Sequence, residues 1–258
     1  MTAPLMFITG ASSGIGQAMA LEWARRGGRL ALVARRDHEL RAWAAANGLG
    51  PERAGVYHAD VRDVASLSGA ARACIDAQGV PDVVVANAGI SVGMDTAEEA
   101  DLDVMRATLE TNVLGMAATF RPFVTAMRTR GSGRLVGVTS VAGVRGLPGH
   151  GAYSASKAAA INYCESLRGE CRPYGIQVVT LVPGYIDTPL THANRYRMPF
   201  LMPVDQFAAQ ALDAIAHGTS YRVIPWQMGW VARLLRLLPN AVFDRVMAGR
   251  PRKRRQGE

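Results

Sequence analysis

The chain has 258 residues, of which 49% are hydrophobic and 19% charged. That length suits one α/β domain able to bury a core without disulfides or a structural metal, and the composition excludes a disordered or collagen-like chain. The 29 Lys and Arg outnumber 21 acids to give a net charge of +8, half of it in residues 250–258 with five cations and one acid, so the remainder is too weakly basic to imply nucleic acid.

Apolar runs of strand length alternate with segments of helical period. Strands are expected at 5–9, 29–34, 55–58, 83–86, 134–139, 176–182 and 221–224. Helices are expected at 15–26, 38–46, 64–78, within 101–130, at 152–174 and at 204–217. Val-, Ile- and Leu-rich strands with no polar face are covered on both sides, which requires a parallel sheet with helices on each face. The repeated alternation predicts a doubly wound α/β fold. No internal repeat or linker divides the chain.

Cys74, Cys164 and Cys171 form no Cys-x-x-Cys pair. The last two are seven apart on one predicted helix, about 10 Å along its axis, too far for a bridge. Reduced thiols in a reducing compartment, and so a cytoplasmic location, are expected. The first apolar run, at 5–8, is too short for a signal peptide, and no run of 18 apolar residues predicts a membrane span. No metal site is expected.

The first strand leads into Gly10-Ala11-Ser12-Ser13-Gly14-Ile15-Gly16 and then directly into a helix. Glycines allow the backbone to approach a pyrophosphate, and a helix start offers free N–H groups and partial positive charge. At the end of the second strand an acid would accept the 2′-hydroxyl of an NAD ribose. Here Ala34 occupies that position and Arg35 and Arg36 follow. Guanidinium groups suit a 2′-phosphate, so NADP(H) is favoured over NAD(H), with Arg35 the main contact and Arg36 stacking on adenine.

Tyr153 and Lys157 stand at i and i+4 and share a helix face. An ammonium beside a phenol stabilises phenolate and brings its pKa nearer the range of proton transfer. Only two of the 29 cations are lysines, Lys157 and Lys253, so a chain that nearly always uses Arg has kept Lys here. Ser140 closes the fifth strand, at the sheet edge where ligands bind in such folds.

These residues together resemble the short, non-extended branch of the short-chain dehydrogenase/reductase family, over about residues 5 to 225. The resemblance implies a Rossmann-like domain of seven parallel strands that assembles as a homodimer or homotetramer. It makes Tyr153 the general acid–base, Ser140 the group that polarises the carbonyl, and Lys157 the nicotinamide-ribose ligand that lowers the Tyr153 pKa. Asn112 would support a water relay. Asp60 and Val61 would hold adenine, Asn87-Ala88-Gly89 would follow the fourth strand, and Pro183-Gly184 the sixth. Ile186 would lie beside the nicotinamide and Thr188 would meet its carboxamide. Ser13 stands where NADP-preferring relatives often carry a basic residue, so the NADP(H) preference rests on Arg35 and Arg36.

The segment 185–203 corresponds to the family's substrate lid. Met198, Phe200 and Met202 give it an adaptable apolar surface, which favours a lipophilic ketone, aldehyde or secondary alcohol over a sugar. Val92, Met94 and His150 are candidate wall residues. The domain is thus expected at 1–225, followed by an amphipathic helical extension at 226–249 and a basic tail at 250–258. In the extension, Gly229, Arg233, Arg236, Asn240 and Asp244 form a polar stripe, with Trp226, Trp230, Leu234, Leu237, Leu238 and Val242 off it, in one or two helices broken at Pro239. Two readings stay open: a membrane-surface patch with the tail on anionic lipid, or a helix packed on the domain or a partner subunit with a disordered tail. A 3-oxoacyl thioester reductase and a non-catalytic nucleotide sensor are the alternative functions, and nucleic acid is not an expected partner.

Overall fold

Alternate side chains of each strand feed two separate core layers. In β1 (Leu5–Thr9), Met6 and Ile8 join one layer while Leu5 and Phe7 join the other. In β4 (Val83–Ala86), Val83 and Val85 oppose Val84 and Ala86 in the same way. With β2 (Arg29–Ala34), β3 (Ala54–His58), β5 (Gly133–Val138), β6 (Ile176–Pro183) and β7 (Tyr221–Ile224), these strands form one parallel sheet in the order β3-β2-β1-β4-β5-β6-β7. The computed structural model describes residues 2–192, 194, 196–249, 251–255 and 257. Ala193 and Arg195 of the expected lid, and Arg250, Gln256 and Glu258 of the expected tail, lie outside the described residues, as does Met1.

In chain order the helices are α1 (Gly14–Arg25), α2 (Asp37–Ala46), α3 (Val64–Gln78), α4 (Asp101–Leu109), α5 (Gly115–Arg130), α6 (Gly151–Cys171), α7 (Pro189–His192), α8 (Val204–Ala216), α9 (Trp226–Leu237) and α10 (Asn240–Met247). Met19 of α1, Leu40 of α2 and Phe207 of α8 pack on one face of the sheet. Leu67 of α3, Phe123 of α5 and Leu167 of α6 pack on the other. Phe123 meets Phe7 with ring centroids 4.7 Å apart, so β1 is clamped beneath α5. Burying such a side chain stabilises the fold by about 1.5–3 kcal/mol.

From β1 the chain steps outward to β3 and then returns to β4 on the other side of β1. The loops leaving β1 and β4 therefore part, and a crevice opens at the strands' C-terminal ends. Two predicted helices differ from expectation. The stretch 101–130 is interrupted by a π-helical turn, Glu110–Leu114. Such a turn packs an extra residue into the helix and re-aims its side chains; here it contains Asn112, which is buried. The stretch 152–174 ends at Cys171 and finishes in a 3₁₀ turn, Arg172–Tyr174, whose Pro173 lacks the N–H that an α-helix needs.

Candidate active site

The loop after β1 is shaped by a close approach of backbone to backbone. A Cβ on Gly16 would lie 2.3 Å from the Gly10 carbonyl oxygen and 2.5 Å from Asn87 Nδ2. Only glycine fits there, and it draws α1 against the end of β4. The Asn87 amide fastens this junction by donating to the carbonyls of Thr9 and Gly10, both at 3.1 Å. No side chain caps the start of α1. Its first N–H groups and the positive end of its dipole thus face the crevice, an arrangement that suits a pyrophosphate.

The crevice is a cavity of about 540 Å³. From the first loop it receives Gly10, Ser12, Ser13, Gly14 and Ile15; from the ends of β2 and β3, Arg35, Arg36, Asp60 and Val61. Asn87, Ala88 and Gly89 follow β4, and Ser140 follows β5. Tyr153 and Lys157 come from α6, and Pro183, Gly184, Ile186 and Thr188 from the end of β6. Gly16 and Asn112 are the two expected site residues that do not line it. Gly16 is packed beneath the loop, and Asn112 stands behind the wall that Thr111 faces.

Ser140 is buried, and its hydroxyl accepts from the Ala142 N–H at 3.1 Å, starting the 3₁₀ turn Val141–Gly143. That turn packs on α6, which holds Ser140 against Tyr153. Burial keeps the Tyr153 phenol above its ordinary pKa, and a hydrogen bond with Ser140 pulls it the other way. The sequence led us to expect that pull from Lys157. Instead the buried Lys157 ammonium donates to the Val138 carbonyl at 2.9 Å and stands 5.8 Å from the Tyr153 ring centroid. Burial brings Lys157 itself down to about 8.

Asn112 braces this arrangement. Its Oδ1 accepts from the Ile90 N–H at 2.8 Å, and its Nδ2 donates to the Ile90 carbonyl at 3.0 Å and to Ser156 Oγ at 2.9 Å. Ser156 Oγ donates in turn to the Tyr153 carbonyl at 2.8 Å. The π turn thereby ties the loop after β4 to α6. At the far end of the cavity, Arg62 was not anticipated from sequence. Its guanidinium binds Asp60, with Nη2 2.9 Å from Oδ2, and holds that carboxylate below its usual range. Arg35 stands 3.9 Å from Asp60 and remains largely exposed, while Arg36 pairs with Glu39 at 3.2 Å. Asp37 pairs with Arg41 and His58 and leaves both Arg35 and Arg36 alone. The residues present fit a dinucleotide: free helix N–H groups, a glycine cradle, and cations at the end where an adenosine ribose would lie.

A second cavity, about 620 Å³, shares Ser140, Tyr153, Gly184, Leu190 and Thr191 with the first. Met228, Val231, Ala232 and Leu235 of α9 form one wall, and Tyr185, Tyr196 and Leu190 another. His150 lines it, held neutral because burial and the nearby Lys253 pull its pKa down to about 4. Val92 and Met94 do not line it; the Met94 sulfur instead accepts from the Ala152 N–H at the start of α6. The expected apolar cover is also placed differently. Met202 packs on the core beside Ile186, and Phe200 and Leu201 turn outward. Two tyrosines and α9 enclose the space that we had assigned to Met198, Phe200 and Met202.

In the extension the apolar stripe of the sequence stays exposed, and so do Arg233 and Arg236. The face of α9 that packs inward carries Met228 and Ala232, while Trp226, Trp230, Leu234 and Leu237 are exposed. Nor is the basic tail a free strand among the described residues. It lies against the loop after β4, where the Gly93 N–H donates to the Arg254 carbonyl at 2.9 Å, and against the start of α4, where Arg255 Nε donates to the buried Asp101 at 2.7 Å. Acidic side chains in that loop attract the tail more closely than a solvated tail would require. No helix among the described residues is long and apolar enough to cross a membrane.

Known proteins resemble this chain. The short chain dehydrogenase family matches residues 4–198. An uncharacterized oxidoreductase of Myxococcus xanthus is 39% identical over 92% of this chain and 93% of its own. A monensin polyketide synthase putative ketoacyl reductase of Streptomyces virginiae is 36% identical over 79% of this chain and 78% of its own. The solved alcohol dehydrogenase of Thermococcus sibiricus, complexed with 5-hydroxy-NADP, is 27% identical with a TM-score of 0.76, covering 86% of this chain and 96% of that one. The chain belongs to the short-chain dehydrogenase/reductase family and is an NAD(P)-dependent oxidoreductase.

Proposed function

We propose that the protein is an NADP(H)-preferring reductase or dehydrogenase of a hydrophobic ketone, aldehyde or secondary alcohol. The observation that carries this reading is the meeting of the two cavities at Ser140 and Tyr153. A carbonyl entering from the apolar side meets both hydroxyls where the dinucleotide cleft ends. When bound, the nicotinamide exchanges a hydride with the substrate carbon.

The chain's own residues do the rest. Ser140 Oγ orients the substrate oxygen by donating to it. Tyr153 Oη gives its proton to that oxygen in the reducing direction and takes it back in the oxidising one. Its raised pKa suits the donor role at neutral pH. Lys157, near its own midpoint at pH 8, holds a cation beneath the ribose position. The walls of α9 and Tyr196 exclude water. Arg35, exposed at the ribose end and joined by Arg36, is the assigned partner of a 2′-phosphate. The 27% identical relative crystallised with 5-hydroxy-NADP supports that choice.

Tyr153→Phe is expected to cut turnover by at least about 10²-fold, followed at the nicotinamide absorbance with a panel of carbonyls and alcohols, while nucleotide binding persists. Near-full activity on a proven substrate would overturn the assignment. The ketoacyl reductase likeness keeps a 3-oxoacyl thioester among the substrates to include in that panel. A homodimer or homotetramer belongs to the same reading, supported by the exposed Leu102 at the start of α4 and Leu114 in the π turn. A peripheral membrane contact draws support from the Trp226, Trp230 and Leu234 stripe, flanked by Arg233 and Arg236; binding to anionic liposomes would then persist after residues 250–258 are removed.

A further inference from the structure

The chain's only two lysines both face the joined cavities, Lys157 in the dinucleotide cleft and Lys253 in the apolar one. Lys253 reaches its place because the tail crosses the loop after β4. Gly93 lies so close beneath the tail that a Cβ there would stand 2.2 Å from the Lys253 carbonyl oxygen. Arg255 pairs with Asp101 at 2.7 Å and with Glu98 at 3.5 Å, and Arg252 lies 3.9 Å from Asp95. Arg252 and Arg255 are thus taken up by carboxylates. Lys253 is not: its Nζ donates to the neutral Ser91 Oγ at 2.9 Å, and an ammonium has three donors.

Among the described residues no Asp or Glu lines this cavity. Its cations are Lys253, Arg145 and Arg197. Arg145 is held by the Leu238 carbonyl at 2.7 Å and by Asn240 Oδ1 at 3.0 Å, and it covers the Phe243 ring. His150, the other titratable neighbour of Lys253, is neutral. A half-buried ammonium with donors to offer, in an apolar chamber, calls for an anion that the described residues do not supply.

We propose that Lys253 is a specificity-determining residue, which receives an anionic group, a carboxylate or a phosphate, at the end of a lipophilic substrate whose carbonyl lies at Tyr153. The inference rests on reading the second cavity as the substrate site. It deepens that reading from an apolar substrate to an amphiphilic one. The tail thereby acts as a strap that closes the cavity and brings its charge.

Calorimetric titration of the full chain with octanoate, octyl phosphate and octanol tests the idea without needing turnover. One of the anions is expected to bind at least about tenfold more tightly than octanol, the usual scale for a hydrogen bond to a charged group. Lys253→Met removes that preference and shifts octanol less than about twofold, and Lys253→Arg retains most of it. The variant's melting curve checks that the fold is intact. Three results overturn the proposal: no measurable anion binding, octanol binding as tightly as both anions, or anion binding that survives Lys253→Met, as it would if the Arg35 end of the nucleotide cleft held it. Octanoate and octyl phosphate separate the two anion types. Tyr153→Phe is expected to leave anion binding unchanged, so failure of the catalytic assignment and failure of the Lys253 assignment read out separately.

Discussion

The dinucleotide cleft and the apolar cavity share Tyr153 but differ in construction. The first is built from the C-terminal ends of buried strands and from backbone: glycine against carbonyl, uncapped N–H groups, an asparagine amide bridging two loops. The second is built mostly from side chains on segments that follow β6, together with the loop after β5. Backbone at a strand end cannot be re-aimed without disturbing the sheet, whereas a helix and a tail laid over the sheet can change their side chains independently. One half therefore suits a ligand that never varies and the other a ligand that does.

The contrast is most exposed at Gly16. Gly16→Ala places a methyl group into backbone that has no room to yield. It should weaken dinucleotide binding by at least about 100-fold in a fluorescence titration, an effect of the size expected where backbone must shift at a ligand contact. Unchanged binding would show that the loop is more adaptable than its packing suggests.

Arg35 tests the one place where the dinucleotide side relies on an exposed side chain. Arg35→Ala should raise the Kd for NADPH about 10–100-fold, the value of a charge-assisted pair, and leave that for NADH nearly unchanged. Equal losses for both nucleotides would remove the 2′-phosphate assignment.

Lys157 reads stability instead of binding. Its ammonium titrates near 8 in the fold against a reference value of 10.5. A depressed Lys pKa means that the folded state disfavours the charge. The cost is full below about pH 8, and stability rises as pH climbs from there towards the unfolded value, where only the unfolded chain still holds the proton. Lys157→Met should therefore stabilise the chain at pH 7 by roughly 1–3 kcal/mol, allowing for the Val138 carbonyl left without its donor. A melting temperature below that of the unmodified chain would contradict the buried-ammonium account.

What the sequence made legible follows the same division. Runs such as Val83–Ala86 are apolar on both faces, and their alternation with helical segments is the pattern of a sheet covered on both sides. The glycine loop, Arg35 and the Tyr153–Lys157 pair are local in sequence, so spacing alone brings them together. Arg62 escaped notice because its role depends on folding back two residues onto Asp60. The π turn at Asn112 has no periodic signature that separates it from a long α-helix. Lys253 and Ser91 are 162 positions apart, and only the path of the tail makes them neighbours. What covers the outer face of α9 was not legible, because amphipathicity identifies two faces without saying what each will meet.

The placement of the lysines also has a chemical consequence. Reagents that acylate primary amines ordinarily scatter over a protein's surface. On this chain they find, besides the terminal amine, two side chains, Lys157 in the dinucleotide cleft and Lys253 on the tail that lines the apolar cavity. A single amine-directed label thus becomes a reporter of whether each chamber is filled.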